Sequence, residues 1–499
     1  MTIGTLSAAA RPSFPQRRTG GVQRDDRLEA VAAKVERGER LSLDDGLLLY
    51  ETPDIWTVLQ LADKVRRRLH GTSAFYNINR HLNYSNVCAL SCKFCEFYAK
   101  AGDEKAYTRD MAYIREQARL AVESGATEIH SVGGLHPTLP FSYYTDMIGT
   151  IRDEAARLGS DLHVKAFTAV EIVHLCKIAK VYKGANLPGE EGRAARREAI
   201  RFVLTALKDA GLGSLPGGGA EVFDDRVHDE AYKGKIRSDV WLDVHRVAHE
   251  IGLNTNATLL YGHIEQRMDR LVHMDMLRRA QDEALARMGY AGTRHQAITT
   301  GDGIRHSAFG IRSDAYGDGG HLGYSGHEGG DAPEITLTRK GIPLPERIAF
   351  GTNAESRMPN AATSGYYQTI IPLPFFPDGC ELEHLPGPSG LENYRTTAIA
   401  RLMLDNFPHV KAFWIMQTLP MAQIMLQSGA DDIDGTVVWY DITKVGGVST
   451  HQEVSVWTLQ KAIREAGFEP VERDTVYRRV VRDEVDGRKW SVGPSRGDQ

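Results

Sequence analysis

The stretch Cys88-Ala-Leu-Ser-Cys92-Lys-Phe-Cys95 contains three of the five cysteines of this 499-residue chain. So sparse and clustered a set of cysteines is not that of a disulfide scaffold. A cluster of this kind is instead typical of metal binding in a reducing compartment. The spacing therefore predicts a metal site on one short segment of the chain.

Two kinds of metal site are compatible with the CxxxCxxC spacing. Thiolates are soft ligands that suit iron–sulfur clusters and zinc alike. Three cysteines on one loop can bind three irons of a [4Fe–4S] cube, which leaves the fourth iron open to a chelating small molecule. The alternative is a structural zinc ion, whose fourth ligand would be Cys176, Cys380 or one of the 18 histidines. The uneven spacing and the lack of a second CxxC pair favour the cluster.

Downstream of residue 79 the sequence alternates between short apolar segments and amphipathic helical stripes. The expected strands lie at 83–87, 127–132, 162–168, 213–216, 253–261, 367–374, 409–415 and 436–439. About eight strand-then-helix units predict an α/β fold, a (βα)8 TIM-type barrel. A doubly wound sheet stays possible, because the pattern does not give the order of the strands.

The same pattern divides the chain into four parts. We expect a disordered tail over residues 1–25, an N-terminal helical extension over 26–78, the barrel over 79–455, and a C-terminal helix and tail over 456–499. Two insertions interrupt the barrel: a charged one near 183–197 and a glycine-rich one over about 288–366. The second joins a helix to the next strand, so we expect it at the barrel face opposite the active site.

Composition argues against several classes of protein. The formal net charge of −5 does not suggest nucleic-acid binding as the main function. No apolar run is long enough to span a membrane, so no membrane span is expected. The first 24 residues carry four arginines and lack the apolar core of a signal peptide. We therefore expect a cytoplasmic protein.

A glycine pair closes the strand predicted at 127–132, in the stretch Ser131-Val-Gly-Gly-Leu-His136-Pro137. Glycine permits close approach of the backbone to a ligand, and barrel enzymes bind ligands at this end of their strands. Alone the pair indicates no more than a turn, but it gains weight from the cysteines one strand earlier. His136 is equally compatible with a ligand contact and with a structural role in the loop.

Further candidates lie on and after a later strand. Asn256 and Thr258 share one face of that strand, which makes them candidates for ligand contact or members of a hydrogen-bonded interior layer. His263 and Glu265 follow the strand end, where a general acid or base is expected, although an acid at position 265 would also suit a helix start. Lys165 could pair with a substrate carboxylate, but we expect it to be solvated.

The cysteine spacing, with an aromatic residue before the last cysteine, resembles the radical S-adenosylmethionine (SAM) superfamily. The resemblance implies a [4Fe–4S] cluster bound by Cys88, Cys92 and Cys95, with SAM chelating the open iron through its amine and carboxylate. Electron transfer then splits SAM into methionine and a 5′-deoxyadenosyl radical. The candidate cofactor-binding residues are Phe94, Gly133, Gly134, His136, Asn256 and Thr258, and the glycine pair is implied to hold the SAM amino group.

Longer stretches narrow the resemblance. They lie at 76–88, 130–137, 165–171, 214–223, 256–265, 402–408, 431–437 and 470–477. Taken in order, they resemble the aminofutalosine synthases of the futalosine route to menaquinone, over about residues 28–477 apart from the insertions. After Val437 the sequence departs from the more acidic stretch usual in that family.

The resemblance implies a definite reaction. The adenosyl radical adds to the vinyl carbon of 3-[(1-carboxyvinyl)oxy]benzoate, and rearrangement with loss of the carboxylate gives 6-amino-6-deoxyfutalosine. SAM is consumed as a co-substrate, and a one-electron reductant such as flavodoxin or ferredoxin is implied as a partner. His263 and Glu265 are the candidate catalytic residues. The alternatives are a cyclic dehypoxanthinylfutalosine synthase, an FO synthase, or a non-catalytic scaffold stabilised by zinc.

Overall fold

The computed structural model describes residues 24–289, 364–437 and 453–493. Three helices open this part of the chain: α1 (Leu28–Arg37), α2 (Leu43–Glu51) and α3 (Ile55–His70). Local capping sets where the second and third begin. Ser42 and Asp45 form a capping box at α2, and the Asp54 side chain accepts a hydrogen bond from the Thr57 amide at α3.

The elements that follow alternate as the sequence predicts. In chain order they are β1 (Ser73–Asn77), β2 (Asn79–Leu82), α4 (Met111–Glu123), β3 (Glu128–Ser131), α5 (Phe141–Arg157), β4 (His163–Ala166), α6 (Ala169–Ile178), α7 (Gly189–Asp209), β5 (Ser214–Leu215), α8 (Asp225–Ala231), α9 (Ser238–Glu250), β6 (Asn254–Tyr261) and α10 (Arg267–Arg287). After the gap come β7 (Tyr367–Pro374), α11 (Gly390–Met403), β8 (His409–Val410), α12 (Trp414–Gln417), α13 (Leu419–Met425), β9 (Asp432–Gly435), α14 (Val456–Glu465), β10 (Glu469–Glu472), β11 (Val480–Arg482) and β12 (Trp490–Val492). None of these helices combines the length and the apolarity that a membrane crossing requires.

The strands β2 to β8 form one parallel sheet in sequential order. The sheet continues around the remaining sector, because Lys411 after β8 forms a parallel bridge with Asp432 of β9, and β9 pairs in parallel with β1. Since only Ile78 separates β1 from β2, these two segments occupy one strand position of the ring. The pairing therefore confirms the (βα)8 barrel.

The barrel closes through a tight contact between its first and last strands. A Cβ atom on Gly435 would lie 2.3 Å from Oδ1 of Asn79 and 2.4 Å from Oδ1 of Asn77. The Thr436 amide donates to the Asn77 carbonyl oxygen, and the Val437 amide donates to Oδ1 of Asn79. Glycine at 435 is thus required for the last strand to approach the first.

Two predicted strands are displaced along the chain. The first barrel strand covers 79–82 rather than 83–87, and the last covers 432–435 rather than 436–439, of which 438 and 439 lie outside the described residues. Both strands are rich in polar residues, Asn-Arg-His-Leu in β2 and Asp-Ile-Asp-Gly in β9, so neither is recognisable as an apolar segment. In the second case the apolar residues begin just after the strand, at Val437.

The ends of the described chain also differ from the expectation. The region expected as a helical extension ends in strand β1, and the region expected as a helix and tail contains three strands. β10 pairs in parallel with β1, and β11 and β12 form an antiparallel pair. An ion pair between Arg482 and Glu472 ties this pair to β10, which is why so polar a sequence is ordered.

The expected insertions and the N-terminal tail are only partly visible. The charged segment near 183–197 forms a short connection and the first turns of α7. The glycine-rich segment and the tail fall almost wholly on residues 290–363 and 1–23, outside the described residues.

Candidate active site

A cavity of about 280 Å³ lies at the carboxyl ends of the barrel strands. Residues from all around the ring line it, from the loop after β2 to β9. Its walls include the apolar side chains Val132, Ile371, Leu373 and Phe413. Active sites of TIM-type barrels lie at this face, so the cavity is the candidate active site.

The cysteine loop, residues 83–110, connects β2 to α4 and brings all three predicted metal ligands to the cavity. Cys88 and Cys95 are partly exposed and Cys92 is buried, and all three thiols are free. The loop is stabilised by its own hydrogen bonds: Nζ of Lys100 donates to the carbonyl oxygens of Cys88 at 3.2 Å and of Leu90 at 2.9 Å.

The cysteine thiols favour a cluster over a single ion. The ligands of one tetrahedral zinc have sulfur atoms about 3.8 Å apart, given Zn–S bonds of about 2.3 Å. Among the described residues, the three cysteine sulfurs do not belong to any ligand group whose atoms all lie within 4.8 Å of one another. Burial raises the pKa of Cys92 to about 11, so a metal that binds this thiol must displace its proton.

The two remaining thiols are hydrogen-bonded elsewhere, although Cys380 lies next to the cysteine loop, where the Glu381 amide donates to the Lys93 carbonyl oxygen. Cys176 is buried on α6, where its thiol donates to the Ala199 carbonyl oxygen, and the Cys380 thiol donates to the Pro377 carbonyl oxygen. Neither lines the cavity. Neither is therefore positioned as the fourth ligand that the zinc alternative requires.

The glycine pair packs directly against the cysteine loop. A Cβ on Gly133 would lie 2.6 Å from the Tyr84 ring, and one on Gly134 would lie 2.3 Å from the Val87 carbonyl oxygen. Both glycines also line the cavity. Their missing side chains thus let the cysteine loop approach β3, while their backbone faces the cavity.

A buried carboxylate fixes this contact. Oε1 of Glu171 accepts hydrogen bonds from the Gly133 amide at 3.0 Å and from the Tyr84 hydroxyl at 2.8 Å. Glu171 also forms a capping box with Thr168 at the start of α6. Burial raises its pKa, and the Thr168 and Tyr84 donors oppose that rise. Sequence reasoning missed Glu171, although its capping box with Thr168 was recognisable as a helix start.

Phe94, one of the predicted cofactor-binding residues, lines the cavity beside the ion pair of Lys235 and Glu221. Nζ of Lys235 contacts Oε1 of Glu221 at 2.5 Å and lies 4.7 Å above the Phe94 ring. Although burial opposes it, the charges of Glu221 and Cys92 raise the pKa of Lys235 above its usual value. A permanent positive charge therefore stands next to the cysteines.

Asn256 and Thr258 line the cavity as predicted from their shared face on β6. The Thr258 hydroxyl donates to the Gly217 carbonyl oxygen at 2.8 Å, so it also holds the glycine run after β5 in place. Both interpretations offered by the sequence apply to Thr258: it faces the cavity and belongs to a hydrogen-bonded interior layer.

The predicted catalytic pair does not reach the cavity. Glu265 accepts from the Gly262 and His263 amides and pairs with Arg270, which makes it a cap for the turn before α10. The side chain of His263 is buried near Phe375, and neither residue lines the cavity. The chain turns away from the barrel axis at Gly262, whose φ of 92° is a left-handed conformation.

His136 also lies outside the lining. Its Nδ1 accepts from the amides of Thr138 at 3.3 Å and Leu139 at 3.2 Å. The side chain therefore caps its own loop, which is the structural role that the sequence left open.

A layer of charges inside the barrel was missed by sequence reasoning. Lys165, expected to be solvated, is only 3% exposed and contacts Oε2 of Glu128 at 2.8 Å. Opposite it, Lys411 contacts Oδ1 of Asp434 at 2.7 Å. We call these four residues the charged layer, and all four line the cavity. The available signal was polar residues at alternate positions of otherwise apolar strands.

Comparison with known proteins places this geometry in a family. Residues 82–277 match the family model of the radical SAM superfamily, and residues 364–485 match that of the CofH/MqnC C-terminal region. The aminodeoxyfutalosine synthase of Thermus thermophilus is 35% identical over 93% of this chain and 99% of its own length. The chain belongs to the aminodeoxyfutalosine synthase family of radical SAM enzymes.

Further relatives and one solved structure resemble the chain. The aminodeoxyfutalosine synthase of Streptomyces coelicolor is 34% identical over 89% of this chain and 92% of its own length. The 5-amino-6-(D-ribitylamino)uracil–L-tyrosine 4-hydroxyphenyl transferase of Methanopyrus kandleri is 27% identical over 90% and 95%. The hydrogenase maturase HydG of Carboxydothermus hydrogenoformans has the same fold, with a TM-score of 0.56 at 14% identity over 91% of this chain and 81% of that one.

As a radical SAM enzyme, the protein uses a [4Fe–4S] cluster and SAM. The residues present fit this cofactor pair. Three free thiols from one loop face a cavity that no further cysteine enters, and that cavity is deep enough to extend from the loop into the barrel. The zinc-stabilised scaffold, the non-catalytic alternative, is therefore set aside.

Proposed function

We propose that this radical SAM enzyme is an aminodeoxyfutalosine synthase, which converts SAM and 3-[(1-carboxyvinyl)oxy]benzoate to 6-amino-6-deoxyfutalosine with loss of the carboxylate. The observation that carries the proposal is the 35% identity to the Thermus thermophilus enzyme over essentially its whole length. The cavity supports it, because apolar walls and buried lysines suit an aromatic acid.

The cluster, when bound, supplies one electron to SAM and so releases methionine and the 5′-deoxyadenosyl radical. The residues of the chain contribute by holding the cluster and by shaping the cavity. Cys88, Cys92 and Cys95 would hold the cluster, and the backbone at Gly133 and Gly134 lies between them and β3. Leu373 and Phe413 give the cavity an apolar lining, which disfavours water near a radical and so limits side reactions.

We propose a small acidic electron-transfer protein, such as flavodoxin or ferredoxin, as the reductant. Lys93 and Lys100 are exposed beside the thiols, whereas the acids Asp103 and Glu104 lie further along the loop. Lys100 donates to the carbonyl oxygens of the metal-binding segment itself, so a partner that docks there lies close to the cluster. Opposite charges steer such encounters.

The test is an anaerobic product assay. Protein reconstituted with iron and sulfide is incubated with reductant, SAM and 3-[(1-carboxyvinyl)oxy]benzoate, and the products are analysed by mass spectrometry. We expect an adduct that retains adenine, together with methionine. 5′-Deoxyadenosine without an adduct contradicts the proposal.

A parallel incubation covers the neighbouring branch of the superfamily. The transferase of Methanopyrus kandleri is named for tyrosine and 5-amino-6-(D-ribitylamino)uracil, so these two compounds replace the vinyl ether in the second incubation. A product from this pair, with none from the vinyl ether, would assign the protein to that branch.

A further inference from the structure

The charged layer is unusual for the inside of a barrel. The interior of a TIM-type barrel is normally filled by bulky branched apolar side chains. Here Glu128 and Lys165 come from β3 and β4, Lys411 directly follows β8, and Asp434 comes from β9, with every one of them at most 4% exposed. Burying two ion pairs costs desolvation that well-packed apolar residues would avoid. Stability alone therefore does not explain the layer.

The backbone is strained beside both ion pairs. Asp434 has a φ of 65°, and Phe167, two residues after Lys165, has a φ of 64°. Residues with a side chain rarely adopt this left-handed conformation, which costs about 1–3 kcal/mol and is concentrated at functional sites. The Asp434 amide donates to Oδ1 of Asp432 at 2.6 Å, which holds this backbone conformation, and the Asp434 carboxylate accepts from Lys411.

Both lysines have donors to spare. An ammonium group can donate three hydrogen bonds. Within the described part of the chain, Nζ of Lys165 donates only to Glu128 and Nζ of Lys411 only to Asp434. His130 lies in the same layer, and its buried Nε2 has no hydrogen-bond partner among the described residues. The layer thus presents unused polar groups to the cavity.

The layer lies deeper in the barrel than the cysteines. Lys165 is inside β4, in register with His130 of β3, whereas the cysteine loop follows the carboxyl end of β2. Between the two, apolar side chains such as Ile371 and Leu373 line the cavity. A ligand that spans this space needs an apolar body, with its reacting atom toward the cysteines and its anionic groups toward the lysines.

From this placement we infer that Lys165 and Lys411 are the carboxylate-binding residues of the active site, each holding one carboxylate of an aromatic dicarboxylic acid. Glu128 and Asp434 position the two ammonium groups before the substrate enters. The inference rests on the proposed function for the identity of that acid, and it concerns binding rather than the radical step.

The experiment measures binding of a probe that cannot react. The probe is 3-(carboxymethoxy)benzoate, which carries both carboxylates but no vinyl group, and each of its two monoamides serves as a comparison. Dissociation constants are measured by calorimetry on the reconstituted holoenzyme without reductant. We expect the wild type to bind the diacid about tenfold or more tighter than either monoamide, because hydrogen bonds to buried charged groups are strong.

The variants neutralise each ion pair as a whole. Replacing one lysine alone would leave an uncompensated buried carboxylate and could prevent folding. The pairs are therefore Lys165→Met with Glu128→Gln, and Lys411→Met with Asp434→Asn. The matched control is Arg246→Met with Glu283→Gln. This ion pair, with Nη2 of Arg246 2.7 Å from Oε2 of Glu283, is also largely buried, but neither residue lines the active-site cavity.

The outcomes separate the two proposals. Suppose that a double variant binds the diacid no tighter than one of the monoamides, while the control variant still binds the diacid more tightly. This result supports the assignment of that lysine as the residue that binds the corresponding carboxylate. If a double variant folds and still binds the diacid more tightly than both monoamides, the inference is overturned. It is also overturned if the wild type binds the diacid and the monoamides equally well. Product formation from the vinyl ether with an unchanged preference would leave the proposed function standing and refute only this inference.

Discussion

The cysteine loop carries its three thiols within eight residues, whereas the four members of the charged layer come from four separate parts of the barrel: β3, β4, the residue after β8, and β9. The loop is held by contacts close in sequence, such as those of Lys100 with the backbone near Cys88. The layer instead depends on strand pairing: its Glu128–Lys165 half needs β3 beside β4, and its Lys411–Asp434 half needs the segment after β8 beside β9. The first region is therefore sensitive to local chemistry, and the second to the integrity of the whole barrel.

Removing a thiol tests the loop with the largest expected effect. Cys92→Ala should abolish cluster binding and product formation, because three thiolates are needed to hold three irons. The measurement is iron and sulfide content after anaerobic reconstitution, where the wild type should contain about four irons per chain. Cys176→Ala is the control, since that thiol lies on α6 away from the cavity and its loss should leave the iron content unchanged. Full iron content in Cys92→Ala would refute the metal assignment.

The contact between the loop and β3 can be broken without touching a ligand. In Gly134→Ala the new Cβ would lie 2.3 Å from the Val87 carbonyl oxygen, next to Cys88. Backbone cannot yield cheaply, so we expect a loss of about 1–3 kcal/mol in unfolding free energy and at least a tenfold lower activity.

A second glycine provides the control for this substitution. Gly149 lies within α5, and a Cβ added there would have no neighbouring atom within 4 Å, so Gly149→Ala should raise stability by about 1 kcal/mol through helix propensity. Denaturant unfolding measures both variants. Equal stability of the two would show that the loop tolerates displacement from β3.

A buried histidine outside the strands tests whether a change away from the cavity affects stability without affecting ligand binding. His245 packs on α9 between Trp241 and Tyr367, and burial lowers its pKa to about 3. In the unfolded chain the His245 ring takes up a proton near pH 6.5, whereas in the folded chain it stays neutral at that pH. The free energy of unfolding is therefore highest above pH 6.5 and decreases as the pH falls below it. One such group costs about 2 kcal/mol between pH 7 and pH 5.

We therefore expect that in His245→Phe the unfolding free energy falls by about 2 kcal/mol less between pH 7 and pH 5 than it does in the wild type. Binding of the carboxylate probe should not change. Urea unfolding at pH 5 and pH 7 measures the effect. The exposed residue His384, changed to Gln, is the control. An unchanged slope in His245→Phe would mean that this ring is protonated in the folded protein.

The smallest effect is expected at His136. Its imidazole accepts from two amides of its own loop and does not face the cavity, so His136→Ala should cost about 1 kcal/mol of stability. Product formation should stay within about twofold of the wild type, as expected for a loss of loop stability alone. A tenfold weaker apparent affinity for SAM in this variant would return His136 to the binding site.

The sequence predicted those parts of the site that are encoded locally. Cys88, Cys92 and Cys95 were recognisable from spacing, and Asn256 and Thr258 from strand alternation. His263 and Glu265 do not line the cavity, because the segment after β6 forms a turn with Gly262 in a left-handed conformation, which Glu265 caps. Sequence position places a residue near a strand end but does not give the direction of the next turn.

The charged layer shows a different limit. Lys165 looks solvated when considered alone, since a lysine is seldom buried without a partner. Its partner Glu128 lies on the neighbouring strand, 37 residues earlier in the chain. Strand order and register were needed before the two could be matched, and neither follows from the pattern of a single strand.

The pairing of β1 with both β9 and β10 has a consequence for biosynthesis. A ribosome releases β1 and the thiol segment early, but the strands that pair with β1, at 432–435 and 469–472, emerge more than 350 residues after it. Contacts so distant in sequence form slowly, because a long stretch of chain must first be brought together. During that interval the thiol segment belongs to a barrel that is still open, so the cavity it lines is completed only when nearly the whole chain has been synthesised.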